Sequence, residues 1–133
     1  MTNFAAWLSA ALLLTSCATP LDAFTVSVAD GKAHLGAKSY PVALSYCGTG
    51  GKPGSNRTPL GEFTVISKEP HHRYGEILRL GGVSNDGYRQ DDRGILIHRA
   101  RWEHTHGCIG VLSERDMSEI FEALNVGDRV RVM

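Results

Sequence analysis

A chain of 133 residues is long enough for one domain with its own core and too short for two of ordinary size. Hydrophobic residues at 42% and charged residues at 21% exclude a disordered chain, while fifteen Gly and five Pro favour many turns over a helical bundle. Fourteen Lys and Arg balance fourteen Asp and Glu, so the formal net charge is zero and no bulk electrostatic case exists for a nucleic-acid partner.

The first segment reads as a targeting signal. Ala5 to Leu14 is an uncharged apolar run of ten residues, too short to span a bilayer and of the length of a signal-peptide core. The adjoining Leu14-Thr15-Ser16-Cys17 has the form of a bacterial lipobox, in which cleavage exposes a cysteine thiol that receives lipid. Residues 1–23 are therefore expected to be a leader and short linker, and 24–133 the folded domain. The chain would be exported to the periplasm or cell envelope and tethered to the membrane through lipidated Cys17. Ordinary cleavage near Ala18 or Ala23 is the alternative and would release a soluble protein; the short n-region Met1 to Phe4 carries no Lys or Arg.

Strand-like runs dominate the remainder of the chain. Phe24 to Val28 alternates apolar and polar residues, Asp30-Gly31 supplies turn chemistry, and Ala33-His34-Leu35 completes a hairpin. Pro41–Tyr46, Glu62–Ile66, Glu76–Leu80 and Gly94–His98 are further short strands between Gly, Pro, Asn and Asp clusters. Two turn-rich connections, 48–59 and 81–94, are long enough to carry function. One helix is expected where Met117, Ile120, Phe121 and Leu124 recur at i, i+3, i+4 and i+7, with Ser113 as its N-cap and Asn125 and Gly127 at its end. Asp128 to Val132 then alternates as a closing strand. The expected fold is mainly β, a small sandwich or barrel-like domain with one C-terminal amphipathic helix.

The chemistry concentrates between His98 and Cys108, where three His and one Cys fall within eleven positions. A cysteine nucleophile needs a base or charged partner and donors for the oxyanion formed when it attacks a carbonyl. His98, at the end of a predicted strand, is placed to act as that base, and Gly107, which lacks a Cβ, permits a tight approach of backbone amides. Zinc is the rival, because His98, His104, His106 and Cys108 are all competent ligands. Ligand pairs two residues apart usually need a special turn, however, so a thiol nucleophile is favoured and neither a metal nor another cofactor is expected.

Thr105-His106-Gly107-Cys108-Ile109, preceded by Ile97-His98, resembles the signature of the L,D-transpeptidase (YkuD-type) catalytic domain family. Upstream, Thr58-Pro59-Leu60-Gly61-Glu62-Phe63 is similar to that family's Thr-Pro-x-Gly-x-Phe motif, so the likeness spans residues 24 to 133. The resemblance implies acyl transfer on peptidoglycan stem peptides, with release of a terminal D-alanine. It assigns Cys108 as nucleophile and His98 as base, and gives the backbone carbonyl of Arg99 the task of orienting the imidazole. His106 would line the site, Thr105 would support it by hydrogen bonding, and the amides of Gly107 and Cys108 would form the oxyanion hole. Thr105, Tyr88 and Arg101 are the candidate substrate contacts. With water as acceptor the same couple would be an L,D-carboxypeptidase or amide hydrolase, and without turnover the domain would be a peptidoglycan-binding lipoprotein. In each case a monomer is expected. Two departures bear on substrate choice: the insert between His98 and Thr105 is short, and Gly110 stands where the family commonly has Arg or Asn.

Among the other residues, Cys47 is expected to be buried rather than bonded to Cys108, with reversible oxidation as a lesser alternative. His34, His71 and His72 are expected to be solvated surface groups, and His104 to stand aside from the base role. The loop 81–88, with its glycines and Tyr88, is a candidate cover for the substrate, and Trp102 is expected to pack over the short insert.

Overall fold

The computed structural model describes residues 23–91 and 94–133, so the expected leader and Cys17 lie outside the described residues. In chain order the elements are β1 (Phe24–Ser27), β2 (Lys32–Leu35), β3 (Lys38–Ser45), β4 (Gly61–His71), β5 (Gly75–Gly81), β6 (Ile95–Arg99), β7 (His104–Thr105), β8 (Ile109–Val111), α1 (Glu114–Ala123) and β9 (Arg129–Val132). The hydrogen-bonded order is β2-β1-β9-β4-β5-β6-β8-β3-β7, and an additional β2–β3 pairing closes the sheet on itself. The result is a barrel-like, mainly β domain, as the strand pattern predicts. Closure matters physically because it leaves few unpaired strand edges.

Side-chain parity divides each strand between two environments. One face supplies the interior: Phe24 and Val26, Phe63 and Val65, Leu78 and Leu80, Ile97, Ile109 and Val111, and Val130 and Val132 are all essentially inaccessible and form one cluster. Each such large side chain contributes about 1.5–3 kcal/mol through burial. Helix α1 adds Met117, Ile120 and Leu124 to the same cluster, with Phe121 partly buried against it under the Lys68 ammonium, 4.5 Å from the ring centroid. Ser113 caps the helix, its hydroxyl accepting the Asp116 amide at 3.1 Å.

The largest difference from the strand pattern of the sequence is the β4–β5 hairpin, which runs five residues past Ile66 to His71 and returns from Gly75. Its tip needs only His72, Arg73 and Tyr74, because Gly75 takes a positive φ of 78° that closes a three-residue loop. Strand β9 pairs only with residues 61–64 of β4, so Pro70 lies beyond that partner and its missing N–H breaks no ladder on that side. The two short strands β7 and β8 occupy positions that read partly as turn in the sequence. They pair with β3, Leu44 opposite His104 and Val42 opposite Val111, and β8 also runs parallel to β6.

Candidate active site

On the outer face of β5, β6 and β8, opposite in parity to the core residues, stand Arg79, Leu96, His98 and Cys108. Arg79 pairs with Leu96 across β5–β6, and His98 pairs with Gly110 across the parallel β6–β8 ladder. Continuing that register back by two residues sets Leu96 beside Cys108. His98 and Cys108 are thus diagonal neighbours on one face, one pleat apart.

His98 is 5% exposed, and its Nδ1 lies 2.8 Å from the carbonyl oxygen of Arg99. A carbonyl only accepts, so Nδ1 carries the hydrogen and Nε2 is left as the basic nitrogen. Burial holds the imidazole pKa below its ordinary value, and the charge of His71 acts in the same direction, while the Arg99 hydrogen bond opposes them. The Cys108 thiol is pushed up by burial and drawn back by the Leu96 backbone and the Arg79 guanidinium. Both shifts favour a neutral thiol beside a neutral imidazole over a resting thiolate–imidazolium pair.

The turn that presents Cys108 is built on Thr105. Its hydroxyl donates to the Cys108 carbonyl at 2.6 Å and accepts the Gly107 amide at 3.2 Å. The Gly107 N–H, one of the two amides expected at the oxyanion, is thus engaged by Thr105. Thr105 itself is buried and spends its hydroxyl on the turn, so it braces the Cys108 backbone from behind. Gly107 has φ of 121°, and a Cβ there would stand 3.0 Å from the Arg57 carbonyl oxygen, which accounts for glycine on two counts.

That contact brings the Thr58-Pro59 segment against the Cys108 turn. Thr58, fully buried, accepts the Ser45 amide on its hydroxyl at 3.0 Å, and its backbone exchanges bonds with Gly48 and Gly50. His106 is exposed and meets Tyr46 edge to face, ring centroids 5.5 Å apart.

Other expectations change. Cys47 is exposed, because it follows β3 in a turn where its amide bonds Ser45 Oγ, and both it and Cys108 are free thiols. His71 is half-buried within a ring stack rather than solvated. Loop 81–88 is pinned: Asp86 accepts the Gly51 amide at 2.9 Å, Asn85 donates to the Leu60 carbonyl at 2.8 Å, and Gln90 donates to the Gly51 carbonyl at 2.5 Å. Tyr88 projects exposed from this braced loop, and Arg101 and Trp102 are exposed as well, Trp102 at 79% and so not packed over the insert. His104 is exposed on β7. A Cβ on Gly110 would stand 2.5 Å from the Ala100 Cβ, so no larger residue fits there unless the chain moves. Among the described residues no three His, Cys, Asp or Glu side chains gather as a metal site. A cavity of about 230 Å³ lies between Tyr74, Arg99 and helix α1, and Cys108 is not among its lining residues.

Sequence reasoning misses Tyr74 and Arg79. Neither lies in a motif, and what brings them to the site is the hairpin extension and the register of β5 on β6. The lone signal for Arg79 is its alternation within Glu76–Leu80.

The L,D-transpeptidase catalytic domain (YkuD) description matches residues 21–132. The chain belongs to this family. Solved L,D-transpeptidases share its fold. One from Mycobacterium tuberculosis H37Rv is 21% identical with a TM-score of 0.59, covering 83% of this chain and 56% of that one. L,D-transpeptidase 1 of Mycobacterium tuberculosis is 25% identical with a TM-score of 0.55, covering 84% and 60%. An L,D-transpeptidase (Yku) from Stackebrandtia nassauensis is 18% identical with a TM-score of 0.55, covering 90% and 59%. The chain therefore spans less than two thirds of the length of these L,D-transpeptidase structures. No curated protein sequence matches it.

Proposed function

We propose that this domain catalyses cysteine-dependent acyl transfer on peptidoglycan stem peptides, working in the cell envelope after cleavage before a lipidated Cys17 or, alternatively, near Ala18 or Ala23. The observation that carries the reading is the shared face of His98 and Cys108, with His98 Nδ1 tied to the Arg99 carbonyl so that Nε2 is the free base. Family membership supports the reaction class.

In this reading Cys108 Sγ gives its proton to His98 Nε2 and attacks the acyl carbonyl of the third stem residue. The oxyanion that forms is received at the Cys108 amide, since the Gly107 amide is held by Thr105. Collapse expels D-alanine, whose amine takes the proton from the imidazolium, and leaves a thioester on Cys108. An acceptor amine then loses a proton to His98 and displaces the sulfur, and the leaving thiolate takes that proton back from the imidazolium to restore the neutral pair. The neutral resting pair fits this order, in which the proton moves as the bond forms. His106, edge to face with Tyr46, Tyr88 and Arg101 are the exposed side chains this reading makes available to a peptide.

Incubation with tetrapeptide muropeptides, followed by intact-protein and product mass spectrometry, tests the proposal. Loss of D-alanine with a new cross-linked dimer is the expected outcome. Loss without a dimer assigns hydrolysis instead, and binding without either product overturns catalysis.

A further inference from the structure

The tip of the β4–β5 hairpin reaches the base. Tyr74 lies flat on the His98 imidazole, ring centroids 3.9 Å apart and planes inclined by 18°. On the hairpin side Tyr74 also stacks against His71, at 4.9 Å and 28°, and His71 stacks on His72 at 4.5 Å and 23°. The stack is anchored: His71 Nδ1 accepts the Arg73 amide at 3.0 Å, and His71 pairs with Gly75 across the hairpin. Offset parallel rings attract through dispersion and quadrupole complementarity, worth about 0.5–1.5 kcal/mol beyond burial.

Resting on the assignment of His98 as base, we propose that Tyr74 is a positioning residue, whose ring clamps the His98 imidazole in the plane that keeps Nδ1 on the Arg99 carbonyl and Nε2 toward Cys108. The Nδ1 hydrogen bond to the Arg99 carbonyl opposes rotation of the imidazole about Cβ–Cγ at one edge of the ring; a flat ring laid over its face blocks the same rotation across the whole plane. The same ring covers the imidazole from water, consistent with its 5% exposure. The work belongs to the aromatic plane and not to the phenol oxygen, so Phe should replace Tyr.

The test compares Tyr74→Phe and Tyr74→Leu by two readouts: steady-state turnover across pH, and NMR titration of the His98 side chain in a Cys108→Ala background that needs no turnover. In Tyr74→Leu, the His98 titration should move up toward that of a solvated imidazole and kcat should fall about 10- to 100-fold with KM little changed, as expected for a misoriented base. Tyr74→Phe should restore both. Should Leu prevent folding, Tyr74→Gln provides a ringless residue that tolerates an exposed hairpin tip. An unmoved titration with unchanged turnover overturns the proposal. Lost turnover with an unmoved titration and no rescue by Phe also overturns it, since the hydroxyl would then be acting on substrate. A shifted titration with full turnover overturns the proposal too, since the base then works without the clamp; full turnover in His98→Ala overturns instead the assignment of His98 as base, and so separates that failure from this one.

Discussion

Strands β5, β6 and β8 carry two different chemistries on their two faces. Toward the interior, Leu78, Leu80, Ile97, Ile109 and Val111 are apolar, inaccessible and packed into one cluster. On the outer face one residue along, Arg79, His98 and Cys108 are partly or wholly withdrawn from water, yet they are polar or ionisable and need specific partners. The interior answers only to volume and shape. The outer face answers to direction: a carbonyl at Nδ1, a ring over the imidazole, a hydroxyl behind the Cys108 turn. Neighbouring residues a single pleat apart thus divide stability from reactivity, and substitutions should separate the two.

The largest effect is expected at the sulfur. Cys108→Ala should lower turnover by on the order of 10⁴- to 10⁶-fold while thermal unfolding stays close to the parent's, with mass spectrometry showing no acyl adduct. A melting point that collapsed with activity would mean that Cys108 serves the core. Phe63→Ala, on the interior face, should do the reverse. It should cost about 3–5 kcal/mol in denaturant unfolding, a large share of the roughly 5–15 kcal/mol typical of a domain, with little change in kcat for the molecules that remain folded.

Gly110→Ala sharpens the comparison where the faces meet. Its Cβ would collide with Ala100 and press on the Thr105 methyl, so about 1–3 kcal/mol of stability should be lost by overpacking, measurable in the same unfolding assay. Turnover should fall as well, because Thr105 braces the Cys108 turn. The smallest effect is one of pH. His98 must be neutral to accept a proton, and its pKa is held below the ordinary value by burial. The acid limb of kcat/KM should therefore lie below the usual imidazole value of about 6.5, with activity rising as pH increases through it. A limb at or above that value would show a solvated base.

The barrel and the Cys108/His98 neighbourhood are readable from sequence because both rest on local signals. Alternation at Phe24–Val28 and Arg129–Val132 marks strands, the spacing of Met117, Ile120 and Leu124 marks the helix, and the Thr105–Ile109 run carries its own family signature. The features that escape depend on contacts between distant segments. Tyr74 looks like a turn residue until Gly75 folds the hairpin across β6. Cys47 reads as an interior residue because free cysteines usually are, but β3 ends two residues before it and leaves it in solvent. The engaged Gly107 amide cannot be foreseen, since the hydroxyl rotamer of Thr105 decides it.

The backbone-to-backbone approach between Gly107 and Arg57 joins two motifs fifty residues apart into one mechanical part. Thr58 is bolted at its hydroxyl, amide and carbonyl, so the segment pressing on the Cys108 turn cannot yield independently. Grafting either motif alone onto a relative's scaffold would transplant half a hinge-less bracket; the pair has to travel together for the sulfur to keep its aim.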